Sequence, residues 1–347
     1  MTSDTPSFAA PVGPAPQGAT ILVTGGAGYI GSHACKALAR AGYLPVTFDN
    51  LSTGWEAAVK FGPLVQGDLL DRAALDAAFA TYRPEAVMHF AALSQVGEAS
   101  RDPGRYWRNN LGGSLNLVEA MLAHDCRDIV FSSTCATYGD QDGVLLDEDS
   151  PQQPLNAYGG SKLAVEQMLR DFSASHGLNR VVFRYFNVAG ADPEAEIGEW
   201  HIPETHLIPA MLEAVAGARE ALTLHGTDYP TPDGTCIRDY VHVTDLVDAH
   251  LRGLDWLRAG RGGAVFNLGS GHGFSVAEVL AAAREVIGRE VPHRIGPRRA
   301  GDAAALVSGS LRAHQDLGWD ARHSTLAQMI SDAWRWNRTG GYSTPDS

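Results

Sequence analysis

Tyr158 and Lys162 stand four residues apart in the run Tyr158-Gly159-Gly160-Ser161-Lys162, where a helix is predicted to begin. That spacing sets both side chains on one helix face. A free tyrosine, with a pKa near 10, is a poor base at neutral pH. A neighbouring ammonium stabilises the phenolate and lowers that value. The pair therefore suits removal of a proton from an alcohol. Thr134 closes Ser132-Ser133-Thr134 at the end of a predicted strand. Its hydroxyl can hydrogen-bond the oxygen that loses the proton.

A second group of residues could hold a nucleotide. Gly25-Gly26-Ala27-Gly28-Tyr29-Ile30-Gly31 follows a short apolar run directly. Glycines there let the backbone turn tightly and approach a pyrophosphate, whose charge then sits at a helix N-terminus. Asp49 ends the next predicted strand, where an acid can bind a ribose diol and repel a 2′-phosphate. This selects NAD over NADP.

These groups need a frame, and the chain alternates strand and helix to supply one. Strands are predicted at 20–24, 45–48, 64–66, 86–90, 128–131 and 180–184, with helices at 29–41, 73–82, 103–124 and 161–176. Such alternation predicts an α/β fold with a Rossmann-type, doubly wound parallel sheet. Beyond residue 190 the rhythm loosens, with an acidic, Pro-containing loop at 192–204. Helices are predicted at 205–216, 244–257 and 276–287, and a strand at 265–267. We expect a disordered Pro/Ala-rich tail over 1–18 and an NAD-binding domain over 19–188 that takes in segments near 236–267. A smaller α/β substrate domain is expected over 189–340.

Composition narrows the function classes. Among 347 residues, 44% are hydrophobic and 19% charged, which fits a buried core and excludes a fibrous or disordered chain. No apolar run nears the roughly 20 residues of a membrane helix. With 27 basic and 40 acidic residues the net charge is −13, which lacks the basic footprint of a nucleic-acid binder. It also means that an anionic substrate needs local arginines. The four cysteines form no CxxC pair and read as reduced structural thiols of a cytoplasmic protein. His201 and His206 lie near Glu199 and Glu204, but without HExxH spacing, so no metal is expected.

The glycine spacing GxxGxxG, the YxxxK pair and the Ser/Thr strand end together resemble the extended short-chain dehydrogenase/reductase superfamily. Longer stretches narrow this: ILVTGGAGYIGSH, FDNLSTG, QGDLLD, VMHFAA, NNLGGSLNLVEAM, FSSTCATYG, NAYGGSKLAVEQM, RYFNVAGADP, THLIPAML, DGTCIRDYVHVTDLVDAH and PRRAGD. Across almost the whole chain after the tail, these are similar to the UDP-glucose 4-epimerase family. The resemblance implies cofactor contacts from Gly25, Gly28, Tyr29, Ile30 and Gly31. It adds Asp49 and Asn50 at the adenosine ribose, Asp68 and Leu69 at adenine, and Phe90, Ala91 and Ala92 along the cofactor. Asn109, Tyr158, Lys162 and Tyr185 belong near the nicotinamide ribose.

For a UDP-sugar the resemblance implies Thr134, Asn187, Leu207, His225, Arg238, Tyr240, Arg299, Asp302 and Leu306. Arg238 and Arg299 are planar forks suited to a diphosphate; a salt bridge with Asp239 or Asp302 is the competing reading. Departures from the family pattern are Thr134 for the usual Ser, Ser94 for a lysine that often reaches the cofactor, and His206 for an Asn. His225 replaces an aromatic, and Leu306 a bulky Tyr beside the sugar.

The implied reaction inverts the 4-position of the sugar through a transient 4-keto form, with Tyr158 as base and NAD regenerated each turnover. UDP-glucose/UDP-galactose is the expected pair; UDP-pentoses and UDP-N-acetylhexosamines are compatible alternatives. Related 4,6-dehydratases and decarboxylases need acids where this chain has Cys135 and Ala136. A non-catalytic nucleotide-sugar-binding regulator is a remote alternative, since Thr134, Tyr158 and Lys162 are all present. The helices expected at 103–124 and 161–176 resemble the pair that forms a four-helix dimer interface, so a homodimer is expected.

Overall fold

A computed structural model describes residues 18–141, 143–299 and 302–342. The tail expected over 1–18 lies outside them up to residue 17. Seven strands form one sheet: β1 (Thr20–Thr24), β2 (Leu44–Asp49), β3 (Leu64–Gln66), β4 (Ala86–His89), β5 (Asp128–Thr134), β6 (Asn179–Tyr185) and, arriving late in the chain, β10 (Ala264–Leu268). Their order is β10-β6-β5-β4-β1-β2-β3 and every pairing is parallel.

Helices cover both faces, so the strands are apolar on both sides. Ile21 and Val23 of β1 point into one core with Ala34 and Leu38 of α1 (Tyr29–Arg40) and Leu246 and Leu254 of α8 (Val243–Arg258). Leu22, between them, points into the other. That core holds Leu75 and Phe79 of α2 (Arg72–Tyr82), Leu117 and Met121 of α5 (Gly113–Ala123), and Val165 and Leu169 of α6 (Ala157–His176).

The expected helix over 103–124 differs in its interior. After a short α3 (Val96–Arg101), α4 (Pro103–Tyr106) passes into a π-helical stretch, Trp107–Gly112, before α5. The cause is visible in Asn110. Its amide accepts from Leu93 N at 2.9 Å and donates to Leu93 O and to Ser161 Oγ, each at 3.0 Å. Seating that side chain takes the extra residue that a π turn supplies.

Beyond residue 186 a four-stranded sheet is centred on β9 (Ile237–His242). It pairs with β7 (Asn187–Ala189), β11 (Gly273–Ser275) and β13 (Ala305–Leu306), while β8 (Leu222–His225) pairs with β12 (His293–Gly296). None of these strands is expected from the sequence, because they are short and polar residues such as Arg238 and Asp239 break their alternation. Helices α7 (Leu207–Ala216), α9 (Val276–Ile287) and α11 (Leu326–Asn337) pack a third core against them; α10 (Arg312–Leu317) leans on β10. All four cysteines are free thiols. Among the described residues, no helix is long and apolar enough to cross a membrane.

Candidate active site

A parallel sheet points all its carboxyl ends one way, and the predicted residues collect there. Asp49 ends β2, Gly25 follows β1, Phe90 follows β4, Thr134 ends β5 and Tyr185 ends β6. The strand order reverses direction about β1, and open sheets bind ligands in the crevice at such a point.

The glycine loop has three distinct demands. Gly25 sits at φ +73°, and a Cβ there would lie 2.6 Å from Ala91 N; one at Gly31 would lie 2.1 Å from Gly25 O. A Cβ on Gly28 would meet nothing but Gly25 O, at 3.3 Å. The loop is thus packed on its inner side and bare on its outer side. Gly28 caps α1 without a side-chain bond, which leaves first-turn amides of α1 available to an anion. These residues fit a dinucleotide pyrophosphate.

Asp49 holds that loop as well as facing the crevice. Its carboxylate accepts Ala27 N at 3.0 Å and Leu51 N at 2.9 Å. Burial pushes its pKa up, while the two amides pull it down. Asn50 donates to Asp68 at 3.0 Å, and Asn116 donates to Leu69 O at 3.0 Å, which fixes the neighbouring β3–α2 turn. The Tyr29 hydroxyl donates to Gly190 O at 2.7 Å, and Ile30 packs into the core under α1. Ala91 and Phe90 pack into opposite cores, Ala92 is half-buried beside them and Ser94 is exposed.

The proton-transfer group lies on α6 and β5. Helix α6 begins at Ala157, earlier than expected, because the Asn156 side chain caps it by accepting Gly159 N at 3.0 Å. Tyr158 and Lys162 therefore share its first two turns. Burial pushes the Tyr158 phenol up to about 12, and the neighbouring Thr134 hydroxyl pulls the other way. Thr134 Oγ1 also accepts Ala136 N at 3.1 Å.

Lys162 is buried; its ammonium donates to Ser132 O at 2.8 Å and lies 4.9 Å from the centre of the Phe131 ring. Burial lowers its pKa to about 7, against the pull of Glu166. The ammonium is turned to the β5 backbone, one helical turn beyond Tyr158. Tyr185 is hydrogen-bonded to Ser132 Oγ and Asn109 donates to Asn110 Oδ1, both along the same edge.

Strand register sets four of the residues expected on the UDP-sugar side next to one another. Asn187 stands opposite Tyr240, and Arg238 opposite Leu306. Arg238 donates to Asp302 at 3.0 Å and to Ile237 O at 2.8 Å, so one arm of the competing salt bridge is present. Asp239 instead accepts the amides of Ser270, Gly271 and Ser308 and is no partner for Arg238. His225 approaches Pro297 O at 3.2 Å, next to the exposed Arg299. Leu306 packs on Cys135, Tyr138 and Phe186, immediately behind the Thr134 turn. Leu207 opens α7.

Residues 21–269 match the NAD dependent epimerase/dehydratase family. The chain belongs to that family. A UDP-glucose 4-epimerase of Rhizobium meliloti (strain 1021) is 50% identical over 323 residues, 92% of this chain and 98% of its own. The crystal structure of UDP-glucose 4-epimerase from Brucella ovis in complex with NAD is 46% identical. It superposes with a TM-score of 0.89, covering 91% of this chain and 98% of that one. A UDP-Glc/GlcNAc 4-epimerase from Campylobacter jejuni is 38% identical, with a TM-score of 0.80 over 93% and 100%.

Three residues of this NAD dependent epimerase/dehydratase member escaped the sequence reading. Arg184 clamps Glu166 through Nε and Nη2, at 3.0 and 2.7 Å, and Ser133 also donates to Glu166. The signals were a second i, i+4 step from Lys162 to Glu166 and an arginine in the apolar part of β6 (Asn179–Tyr185). Asn110, beside the expected Asn109, is the third. It is buried and ties the π stretch to α6.

Proposed function

We propose that this protein inverts the configuration at C4 of a UDP-sugar, using NAD that is regenerated in each turnover, with UDP-glucose and UDP-galactose as the principal pair. The observation that carries this reading is the placing of Thr134 at the end of β5 and Tyr158 in the first turn of α6, at the same end of the sheet as a glycine loop bare on its outer side. NAD held at the glycine loop and Asp49 would supply the two-electron redox chemistry at C4. The chain's own part is proton transfer and anchoring. Thr134 orients the C4 hydroxyl and Tyr158 takes its proton. Lys162, bonded to Ser132 O, places a cation in the same buried edge, with Tyr185 and Asn109 lining the ribose side.

Inversion requires a firmly held nucleotide and a loosely held sugar. In our reading Asn187, Leu207, His225, Tyr240 and Asp302 frame the uridine diphosphate, and the forks of Arg238 and Arg299 bind its diphosphate in an otherwise acidic protein. Leu306, backed by Cys135 and Phe186, leaves the sugar side less crowded than a tyrosine would. We assign residues 19–188 with the 236–267 segments to NAD and 189–340 mainly to the UDP-sugar. The exposed Trp107 and Leu115 on α5 and the turn before it, beside α6, suit a homodimer interface. A cytoplasmic place in galactose metabolism completes the proposal.

Purified protein given UDP-galactose should form UDP-glucose, and the reverse, with no added cofactor consumed; failure to interconvert them would overturn this reading. The same panel with UDP-pentoses and UDP-N-acetylhexosamines reports what Leu306 admits, and a pocket change of this size alters rates by roughly 1–3 kcal/mol. Replacing Arg238 by alanine is expected to weaken UDP binding by about 1.5–3 kcal/mol, the worth of a charge-assisted bidentate contact. Calorimetry with UDP reads this directly. Unchanged affinity would leave Arg238 as the partner of Asp302 alone.

A further inference from the structure

The acidic stretch before α7 folds into a cluster that the reaction does not use. Glu199, His201, Glu204 and His206 bring one ligand atom each to within 4.8 Å of one another. His206 Nδ1 lies 2.9 Å from Glu199 Oε1 and 3.1 Å from Glu204 Oε1. His201 Nδ1 lies 3.4 Å from both Glu199 Oε1 and Glu204 Oε2. Bonds of about 2.0–2.1 Å to nitrogen and oxygen in a tetrahedral site imply ligand-to-ligand edges of roughly 3.3 Å. With one oxygen per carboxylate, Glu199 Oε1 and Glu204 Oε2, the three spacings to the imidazole nitrogens are 2.9, 3.4 and 3.4 Å and straddle that length, while Glu204 Oε1 is held by the backbone.

Two further observations point to a ligand. His201 Nδ1 is sealed from solvent and has no hydrogen-bond partner, although two carboxylates stand beside it. Buried polar atoms are rarely left in that condition. Beside it is a cavity of about 20 Å³ lined by Gly190, Glu199, His201, Glu204 and Ile208, room for one water or one ion.

The supports are those of an oriented site as well. Thr205 N and His206 N each donate to Glu204 Oε1 at 2.8 Å, and Arg219 donates to Glu204 O at 2.7 Å. These bonds also explain why α7 begins at Leu207 rather than at Thr205.

We propose that Glu199, His201, Glu204 and His206 bind one divalent transition-metal ion, with Zn²⁺ as the fitting case. Two imidazoles and two carboxylates are borderline donors: too nitrogen-rich for Ca²⁺ or Mg²⁺, and free of the thiolates that select copper(I) or iron–sulfur clusters. All four protein ligands close the tetrahedron, as in structural rather than catalytic zinc sites. The ion would clamp the 191–206 loop to the start of α7. It would also reach α1, since Tyr29 bonds to Gly190 O on the cavity wall, and α11, since Trp336 Nε1 donates to Glu199 O at 2.9 Å.

The test uses full-length protein stripped with chelator and then dialysed. Titration with Co²⁺ should give the visible absorption of a tetrahedral centre, saturating at one equivalent per chain, and Zn²⁺ should displace it and raise the melting temperature. His201→Ala and Glu199→Gln, each checked for native circular dichroism, should weaken Zn²⁺ binding on the order of 100-fold or more. Even outer-shell changes cost 10–100-fold at such sites. An octahedral cobalt spectrum, no end-point at one equivalent, or unchanged binding in both variants would overturn the proposal. None of these readouts depends on the reaction assigned above.

Discussion

Tyr158→Phe is expected to keep the fold and the bound cofactor and to lose about 10²–10⁴-fold in turnover, the usual worth of a positioned proton-transfer group. The ring stays, so its packing survives; the hydroxyl neighbouring Thr134 is what is removed. Burial holds that phenol up to about 12 in the protein alone. The group is therefore almost wholly protonated at neutral pH until charge is brought to it.

Lys162, one turn on along α6 and donating to Ser132 O at 2.8 Å, is one expected source of that charge. A cationic nicotinamide ring, when bound, would be the other. Single-turnover and steady-state rates on UDP-galactose check the prediction, with cofactor content measured on the same sample. Turnover within threefold of the parent would remove Tyr158 from the base role.

How far the sequence reached depends on whether local pattern or tertiary contact sets a feature. The β1 strand over Thr20–Thr24 and the loop after it were legible because an apolar run and three glycines are dictated by neighbours in the chain. So was the strand-edge placement of Asp49 and Thr134, which follows from parallel alternation. The π stretch at Trp107–Gly112 was not legible, since it answers to Asn110 reaching Leu93 and Ser161.

The small sheet around β9 was hidden for a different reason. Arg238 and Asp239 make that strand look like a loop, and the amides of Ser270, Gly271 and Ser308 that satisfy Asp239 come from distant segments. The Glu199–His206 cluster failed the expected helical spacing because irregular backbone, held by the Glu204 carboxylate, brings the ligands together instead.

Arg184→Met is expected to destabilise the fold by about 3–5 kcal/mol, the cost of leaving one member of a buried ion pair alone. Arg184 and Glu166 are 5% and 4% exposed, and the guanidinium makes two parallel bonds to the carboxylate before reaching Tyr138 Oη and Glu148 O. A methionine fills much of the volume but supplies none of the five donors. Removing both charges, as in Arg184→Met with Glu166→Met, should recover most of the loss, because apolar replacement of a whole buried pair is often neutral.

The pair also governs the proton-transfer group. Glu166 lies one turn beyond Lys162 on α6 and already raises the lysine's pKa against burial. With Arg184 present, that carboxylate is occupied by a guanidinium and by Ser133. Without it, Lys162 and Arg180 are the cations that still feel Glu166, and Lys162 would be drawn from Ser132 O toward it. The single variant should therefore lose turnover beyond what its unfolded fraction explains, with the pH–rate profile displaced, while the double variant regains stability. Equal denaturation midpoints for parent and Arg184→Met would show that the pair carries no such weight.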